Sequence, residues 1–347
     1  MSGRDAEPVV SVVLPVRNGA ATLARAVESV RAQTFAAWEL VIVDDGSTDG
    51  TAEIAAAAAR ADARVRVVRP AAGEAGVVAA YAGGIAAARG RFMARIDADD
   101  EAHPERLAEQ TAFLERAGHG GIGVVGSLVA FGGDRDAQAG YAHHVDWTNT
   151  LVTPEQIAAQ RFVESPLVNP SAMFRRELWA AHGGCRDGDF PEDYELWLRW
   201  LDAGVRIAKV PRVLLTWHDA PTRLTRTDAR YGPEAFFRVK ACWIARELAR
   251  SGGRRPVWVW GAGRHTRKRA AHLAAHGVAI AGYIDVDPKK LGRLGGTGAP
   301  VIGPDALPPA GEITVLGYVT TRGAREFCQA LLVARGYAEG RDFWMCA

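Results

Sequence analysis

Strand-like and helix-like stretches alternate through the first hundred residues, and this alternation restricts the fold more than any other feature of the chain. Residues 9–16 are almost all apolar and mostly β-branched, the pattern of a strand buried on both faces of a parallel sheet. Further strands are predicted at 38–43, 65–68 and 91–96, with helices at 22–33, 51–60 and 74–89. Strands that alternate with helices predict an α/β fold with a parallel, doubly wound sheet.

Acidic residues follow two of these predicted strands at their ends. Asp44 and Asp45 come after the second strand, and Asp97, Asp99 and Asp100 come after the fourth. Ligands of such sheets bind beyond the carboxyl ends of the strands. Carboxylates two positions apart in an extended segment lie about 7 Å apart on one side, and Mg²⁺ or Mn²⁺ commonly shares such ligands with substrate phosphates. Each cluster alone is more typical of a solvated turn that caps the next helix.

The remainder of the chain divides at a linker. Strands are predicted at 122–131 and 213–217, helices at 192–203 and 233–250, and a loop around His143 and His144. Residues 251–256, Ser-Gly-Gly-Arg-Arg-Pro, form the best linker in the sequence. After it the strand–helix pattern restarts, with strands at 257–260, 278–284 and 313–318 and helices at 266–275 and 323–335. We therefore expect one domain over 1–250 and a second, Rossmann-like domain over 254–347.

Composition excludes several classes of protein. The chain has 347 residues, with 42 basic and 40 acidic ones, so it lacks the excess of positive charge that a nucleic-acid-binding protein would show. Its four cysteines are scattered, which favours reduced thiols over disulfides or a zinc site. Residues 1–10 are too weakly apolar for a signal peptide, and no stretch reaches the length of a membrane span. We expect a cytoplasmic protein, with peripheral association at the inner face of the membrane left open.

A series of motifs, in order and in spacing, resembles family 2 glycosyltransferases with the GT-A fold over residues 8 to about 230. The matching segments are 11–19, 43–51, 84–100, 169–176 and 192–199, followed by His218 and residues 223–226. The resemblance implies a doubly wound, mixed GT-A sheet and inverting transfer of a sugar from a nucleotide diphosphate donor. It also implies that the C-terminal domain is an accessory module. The departures are Ala or Gly where the family often has Asn, including Ala82, and Asn169 where a histidine is frequent.

The resemblance implies a role for each matching position. Asp193 would be the catalytic base, and Asp99 would ligate Mg²⁺ or Mn²⁺, with His218 as a further metal or diphosphate contact. Asp97 would lie near the ribose and the water shell of the metal. The remaining implied substrate contacts are Pro15, Val16, Arg17 and Asp45 around the nucleotide base, Asp44 shaping that pocket, and Glu192 and Arg223.

The predicted chemistry needs these residue types. A divalent cation stabilises the charge that develops on a departing diphosphate, and a carboxylate removes the proton from an acceptor hydroxyl. One base opposite the leaving group is sufficient for a single displacement with inversion. We expect a UDP-sugar as the donor and a glycan or lipid-linked glycan as the acceptor. Outside its motif, Asp193 would be an ordinary acid that stabilises a helix start.

Two other functions remain open at this point. Gly261-Ala262-Gly263, with Asp285 22 positions after Gly263, is similar to a dinucleotide-binding fingerprint and would suit an NAD-dependent oxidoreductase. Thr266 replaces the third glycine, however, so a structural or regulatory use of this turn is favoured. The second alternative is a non-catalytic sugar-nucleotide-binding protein.

Overall fold

The computed structural model describes residues 7–116, 121–219, 223–251, 255–292, 298–321 and 323–347. The chain forms two compact units. The first unit contains residues 1–154, 167–187 and 203–227, and the second contains residues 155–166, 188–202 and 228–347. Residues 252–254, in the middle of the predicted linker, lie outside the described residues.

The first unit is built on a mixed, eight-stranded sheet in the order β3-β2-β1-β4-β7-β6-β8-β5. Its strands are β1 (Val10–Val16), β2 (Trp38–Asp44), β3 (Val65–Val68), β4 (Phe92–Arg95), β5 (Glu101–Ala102), β6 (Ile122–Phe131), β7 (Met173–Arg175) and β8 (Arg206–Trp217). The first four strands are parallel, and β7 pairs antiparallel with both β4 and β6. The predicted α/β class with a doubly wound, mixed sheet is confirmed.

The second unit contains a five-stranded parallel sheet in the order β11-β10-β9-β12-β13. Its strands are β9 (Val257–Trp260), β10 (Ile280–Ile284), β11 (Val301–Ile302), β12 (Thr314–Gly317) and β13 (Phe343–Met345). The sequence predicts β9, β10 and β12 to within two residues at their ends, because each is a short apolar run bounded by glycine, proline or acidic residues.

Twelve α-helices connect these strands within the described residues. They are α1 (Leu23–Arg31), α2 (Thr51–Ala61), α3 (Val77–Ala87), α4 (Arg106–Glu115), α5 (Ala139–Thr150), α6 (Pro154–Gln160), α7 (Arg176–His182), α8 (Glu192–Asp202), α9 (Leu224–Thr227), α10 (Pro233–Arg250), α11 (Arg264–Ala270) and α12 (Ala324–Ala334). Short 3₁₀ helices lie at Asn169–Ser171, Ala229–Tyr231, Ala271–His276, Pro288–Lys290 and Pro304–Ala306. In the part of the chain that the structure describes, no helix has both the length and the apolar character needed to cross a bilayer.

Helix α3 lies unusually close to the sheet of the first unit. A Cβ added at Gly84 would be 2.3 Å from Cγ1 of Val13 and 2.9 Å from Cγ2 of Val43. Only a residue without a side chain allows this approach, since interiors are packed at near-crystalline density. Close packing against β1 and β2 therefore requires glycine at position 84. The same packing places α3 beside the strand ends described below.

The segment with His143 and His144, which the sequence predicts as a loop, is helix α5. Ala142, Val145 and Thr148 are buried at helical spacing on one side of it. Val145 belongs to a small apolar cluster that includes Trp217 at the end of β8. The polar and aromatic residues between these positions hide the periodicity, so tertiary packing rather than local propensity decides the conformation here.

The division into compact units differs from the predicted domains 1–250 and 254–347. Three segments of the predicted first domain, which are 155–166, 188–202 and 228–250, belong with the C-terminal residues instead. The physical reason is a shared apolar core in the second unit, since Tyr194 and Ile244 belong to one cluster of buried residues with Leu316 of β12. Helices α8 and α10 thus complete the unit that contains the C-terminal sheet.

Candidate active site

Three aspartates form a tight turn directly after β4. The backbone N–H of Asp100 donates to the carbonyl of Asp97 over 3.1 Å, which folds the segment back on itself. One carboxylate oxygen from each of Asp97, Asp99 and Asp100 lies within 4.8 Å of the other two. We call these three residues the acidic turn. Such crowding of carboxylates is unfavourable without a cation, because like charges repel strongly where water is scarce.

Arg223 supplies positive charge to the acidic turn. Its guanidinium lies 3.5 Å from a carboxylate oxygen of Asp97, 3.5 Å from one of Asp99 and 3.4 Å from one of Asp100. The Arg223 side chain is 7% exposed and stacks on the indole ring of Trp217, with 4.4 Å between Cζ and the ring centroid. One arginine therefore faces all three carboxylates, although 123 positions separate it from Asp100 in the sequence.

The three carboxylates differ in their surroundings. The side chain of Asp100 has no exposed surface, and burial raises its pKa well above the usual value although Arg223 opposes the shift. Burial also raises the pKa of Asp99; Arg223 lowers it and the charge of Asp97 adds to the rise. Oδ2 of Asp100 accepts no hydrogen bond from the described residues. A buried acceptor without a donor, next to two further carboxylates, is the kind of donor set that a hard divalent cation satisfies.

His218 is fastened to the acidic turn through its backbone. Its N–H donates to Oδ1 of Asp100 over 2.9 Å, whereas its ring Nε2 lies 2.7 Å from Oε1 of Glu101. The ring Nδ1 faces the carbonyl of Gly132 at 3.3 Å. Both ring nitrogens are thus engaged away from the three clustered carboxylate oxygens. Metal contact by His218 stays a prediction, and a turn of its ring away from Glu101 would be required for it.

The ends of β1 and β2 bring the other predicted contacts together. Pro15 and Val16 are paired with Val43 and Asp44 in the parallel register. Oδ1 of Asp44 accepts a hydrogen bond from the backbone of Ser47 over 3.0 Å, so this carboxylate shapes the loop that follows β2. The structure therefore places these residues along one edge of the sheet, next to the end of β4, which pairs with β1 on its other side.

Asp45 connects this edge to the start of α3. Both of its carboxylate oxygens accept the N–H of Gly76, at 3.1 and 3.0 Å. Arg17 is exposed, and its Nη1 lies 3.8 Å from Oδ2 of Asp45. The Asp45 side chain is 8% exposed, whereas that of Arg17 is 61% exposed.

Two loops beyond β1 and β2 are joined by a network that the sequence did not reveal. Asn18 has a φ of 53°, and its Oδ1 accepts the N–H of Thr48 over 2.8 Å. In return the Asn18 N–H donates to Oγ of Ser47 over 3.0 Å. Asn tolerates this left-handed backbone better than most residues do. The hydrogen bonds make one rigid edge out of two loops, which is a useful property for a binding site.

Glu192 and Asp193 begin helix α8 in the second unit. Glu192 is buried, and its Oε2 accepts a hydrogen bond from the Tyr231 hydroxyl over 2.5 Å. Asp193 keeps a partly exposed side chain, and its Oδ1 accepts the N–H of Tyr194 over 2.7 Å. Of these two acids, Asp193 is the more exposed.

Three residues that the structure brings into these clusters are not among the sequence-predicted contacts: Arg25, Arg95 and Tyr231. Arg95 donates from Nε to Oδ1 of Asp97 over 2.9 Å, and Nη2 of Arg25 donates to the carbonyl of Asp99 over 2.7 Å. A signal for Arg95 was present, because a charged residue in a buried strand almost always has a partner. Arg25 and Tyr231 lie in ordinary polar contexts that give no such signal.

The turn at residues 261–263, which follows β9, is fixed by the side chain of Asp285. Oδ2 of Asp285 accepts the N–H of Ala262 over 2.8 Å and Nζ of Lys290 over 3.0 Å. Its Oδ1 accepts the N–H of Asp287 over 2.9 Å. Burial opposes ionisation, but these bonds outweigh it and lower the pKa of Asp285. A dinucleotide-binding acid should be open to ribose hydroxyls, and this one is engaged within the protein.

Comparison with known proteins gives the fold and the family. The "Glycosyl transferase family 2" model matches residues 11–182. The putative glycosyltransferase EpsE of Bacillus subtilis is 32% identical over 205 residues, which are 57% of this chain and 69% of EpsE. The O-antigen biosynthesis protein RfbC of Myxococcus xanthus is 31% identical over 217 residues, which are 60% of this chain and 16% of RfbC.

Among solved structures, residues 1–349 of S. aureus TarS in complex with UDP-GlcNAc superpose with a TM-score of 0.52 at 20% identity. The match covers 69% of this chain and 66% of that one, and at this identity it shows the fold alone, which is GT-A. The chain thus spans about two thirds of EpsE and of the crystallised TarS segment. The similarity to EpsE and the family model together show that the chain belongs to glycosyltransferase family 2.

Proposed function

We propose that this protein is an inverting glycosyltransferase that moves a sugar from a nucleotide diphosphate sugar to a hydroxyl of a glycan or a lipid-linked glycan. The observation that carries the proposal is the acidic turn, where three carboxylates share one guanidinium and the buried Asp100 keeps an acceptor without a donor. A UDP-sugar is our first choice of donor, because TarS binds UDP-GlcNAc. The name of RfbC supports a role in polysaccharide biosynthesis.

Asp99 would hold Mg²⁺ or Mn²⁺, and Asp97 would lie near the ribose and the water shell of the metal. When bound, the cation supplies Lewis acidity to the departing diphosphate. His218 is a further candidate contact. Arg223 already donates positive charge at this place, and its planar group is suited to two phosphate oxygens at once. We therefore assign Arg223 to the diphosphate.

Pro15, Val16, Arg17 and Asp45 would hold the nucleotide base, with Asp44 fixing the loop behind it. A carboxylate such as that of Asp45 can accept an N–H of a base, and Arg17 beside it can turn toward the ligand because it is exposed. The hydrogen bond from the Thr48 N–H to Oδ1 of Asn18 fixes the two loops beside these residues.

Asp193 would act as the base that deprotonates the acceptor hydroxyl. The first turn of α8 favours the ionised carboxylate through the helix dipole, by about 0.3–1 kcal/mol. Glu192 would support this position through Tyr231 rather than take the proton itself. Attack by a hydroxyl with a single base gives inversion at the transferred sugar. The predicted cytoplasmic location and peripheral membrane association stay predictions.

The proposal is tested with the full chain, Mn²⁺ and a panel of nucleotide sugars in a thermal-shift assay, since a donor that binds the folded state raises its stability. With the donor identified, Asp99→Asn should abolish metal-dependent nucleotide binding. Asp193→Asn should keep donor binding and lose transfer. Asp136→Asn, at an exposed loop position of the first unit, is the matched control.

Normal transfer by the Asp193 variant would refute the base assignment, and unchanged metal-dependent binding by the Asp99 variant would refute the metal site. The anomeric configuration of the product, followed by NMR, decides between inversion and retention. The oxidoreductase alternative is disfavoured by the internal bonds of Asp285, and NAD should give no thermal shift. Donor binding without transfer to any acceptor would favour the non-catalytic alternative.

A further inference from the structure

Lys240 in α10 is a buried cation whose side chain binds three backbone carbonyls. Its side chain is 1% exposed, and Nζ donates to the carbonyls of Phe162 over 2.9 Å, Val163 over 2.8 Å and Cys346 over 2.9 Å. An ammonium has three donors, so this one is fully used by three backbone acceptors. One side chain therefore fastens α10 to residues 162–163 and to the residue that follows β13.

Arg161, which directly precedes Phe162 and Val163, binds a residue in the first turn of α8. The Tyr194 hydroxyl donates to the carbonyl of Arg161 over 2.8 Å, and its side chain has no exposed surface. The ring of Tyr194 packs against Phe236 of α10, with 5.5 Å between centroids, and lies 5.9 Å from Nζ of Lys240. Tyr194 directly follows Asp193. Residues 161–163 are thus bonded on one side to Tyr194 and on the other to Lys240.

Other contacts support the same segment. Nη2 of Arg161 lies 2.9 Å from Oε2 of Glu247 in α10, so the segment is fixed to this helix at two points. Phe162, Tyr194 and Leu198 share an apolar core with the C-terminal sheet. Burial lowers the pKa of Lys240 to about 8. Keeping a cation there is costly, whereas an apolar side chain would leave three carbonyls without donors.

We propose that Lys240 is a positioning residue for Asp193, which it holds through residues 161–163 and Tyr194, and that the C-terminal α/β region thereby sets the geometry of the base. The inference rests on the proposed function, since it takes Asp193 to be the base. Under this proposal the C-terminal sheet supports the catalytic base without binding a ligand itself. A merely structural role for Lys240 would affect stability but leave the turnover of the folded enzyme unchanged.

The test compares Lys240→Met and Tyr194→Phe with the wild-type full chain. For each we measure kcat, KM for the donor, the Kd for UDP with Mn²⁺, and Tm. We expect kcat per UDP-binding site to fall about tenfold or more, because small displacements of a reacting group are costly. The Kd for UDP should change less than twofold, since the donor contacts belong to other residues. Lys268→Met, an exposed lysine of α11, is the control and should match the wild type.

The Tyr194 variant removes one hydroxyl and keeps the proposal testable if the Lys240 variant does not fold. A loss of Tm in both variants with unchanged kcat per binding site would overturn the inference. The Asp193→Asn variant distinguishes this result from a failure of the proposed function. If that variant transfers sugar at the wild-type rate, Asp193 is not the base. If Asp193→Asn keeps a residual rate of transfer, adding Lys240→Met to it should not lower that rate further, and an additional loss of about tenfold would contradict the inference.

Discussion

Arg223 and Asp100 form the most deeply buried ion pair of the acidic turn, with Nη1 of Arg223 3.4 Å from Oδ1 of Asp100. The same oxygen of Asp100 also accepts the backbone N–H of His218, the residue that directly follows β8. The guanidinium also faces Asp97 and Asp99. Any divalent cation that enters this turn therefore meets a positive charge already in place.

The guanidinium of Arg223 would repel a divalent cation bound at the same carboxylates. This repulsion predicts opposite effects of Arg223→Met on two ligands. Mn²⁺ alone should bind about tenfold more tightly to the variant, because the repulsion between the cation and the guanidinium is gone. UDP in saturating Mn²⁺ should bind more weakly, because a donor to the diphosphate is lost. Isothermal titration calorimetry measures both affinities. Arg226→Met is the control, since Arg226 pairs with Asp219 instead; weaker Mn²⁺ binding by the Arg223 variant would show that the guanidinium does not compete.

Two adjacent glycines of α3 should respond in opposite directions to the same change. Gly84→Ala places a methyl group against Val13 and Val43 and should lower the free energy of unfolding by about 1–3 kcal/mol. Gly83→Ala meets only ordinary contacts, 3.6 Å from Cα of Pro70, and should raise it by about 0.5–1 kcal/mol through helix propensity. Urea unfolding measures both. Equal effects of the two variants would contradict the close packing of α3 on β1.

Lys209 predicts a pH dependence of stability. It is buried in β8, where its ammonium donates to the carbonyl of Thr148, and burial lowers its pKa from 10.5 to about 7. Between these values the unfolded chain binds more protons than the folded one, so the free energy of unfolding rises with pH. From pH 7 to 9 this group should contribute a rise of about 2 kcal/mol, since one pKa unit corresponds to about 1.4 kcal/mol.

Lys209→Met should remove that rise, and chemical unfolding at several pH values compares it with the wild type. Lys289→Met, at an exposed position, should keep the wild-type slope. Other titrating groups, including Lys240, are present in all three proteins, so the difference between curves belongs to Lys209. Parallel curves for wild type and the Lys209 variant would show that this amine titrates normally.

A truncated chain that ends at Arg250 should not form a folded protein with an ordered α8. Tyr194, Leu198 and Ile244 would lose the C-terminal part of their apolar core, and Lys240 would lose the carbonyl of Cys346. We expect aggregation, or exposed apolar surface that binds a hydrophobic dye. The full chain is the control. A monomeric, cooperatively unfolding 1–250 fragment would contradict the division of the chain into these two units.

The sequence predicts those parts of the structure that depend on local pattern. The strand 122–131 and the helix 233–250 have the predicted bounds, because each has a clear apolar periodicity and clear ends. The positions of Asp44 and of the acidic turn at strand ends followed from the same pattern. These predictions needed no knowledge of distant contacts.

Contacts between residues that lie far apart in the chain could not be predicted from the sequence. Arg223 was assigned to the substrate, but nothing local indicates that it faces all three acids of the turn. The side-chain neighbour of His218, Glu101, lies 117 positions away. The compact units differ from the predicted domains for the same reason, since α8 shares its apolar core with α10 and with the C-terminal sheet.

The interleaving of the two units along the chain has a consequence for biosynthesis. A ribosome delivers every segment of the first unit by residue 227, whereas the second unit lacks β9 to β13 until the end of translation. Helix α8 must therefore leave the exit tunnel long before the C-terminal part of its apolar core exists, and nascent chains in this state attract chaperones. Premature termination would release a molecule with its proposed donor-binding edge formed and its proposed base without the rest of its supporting core.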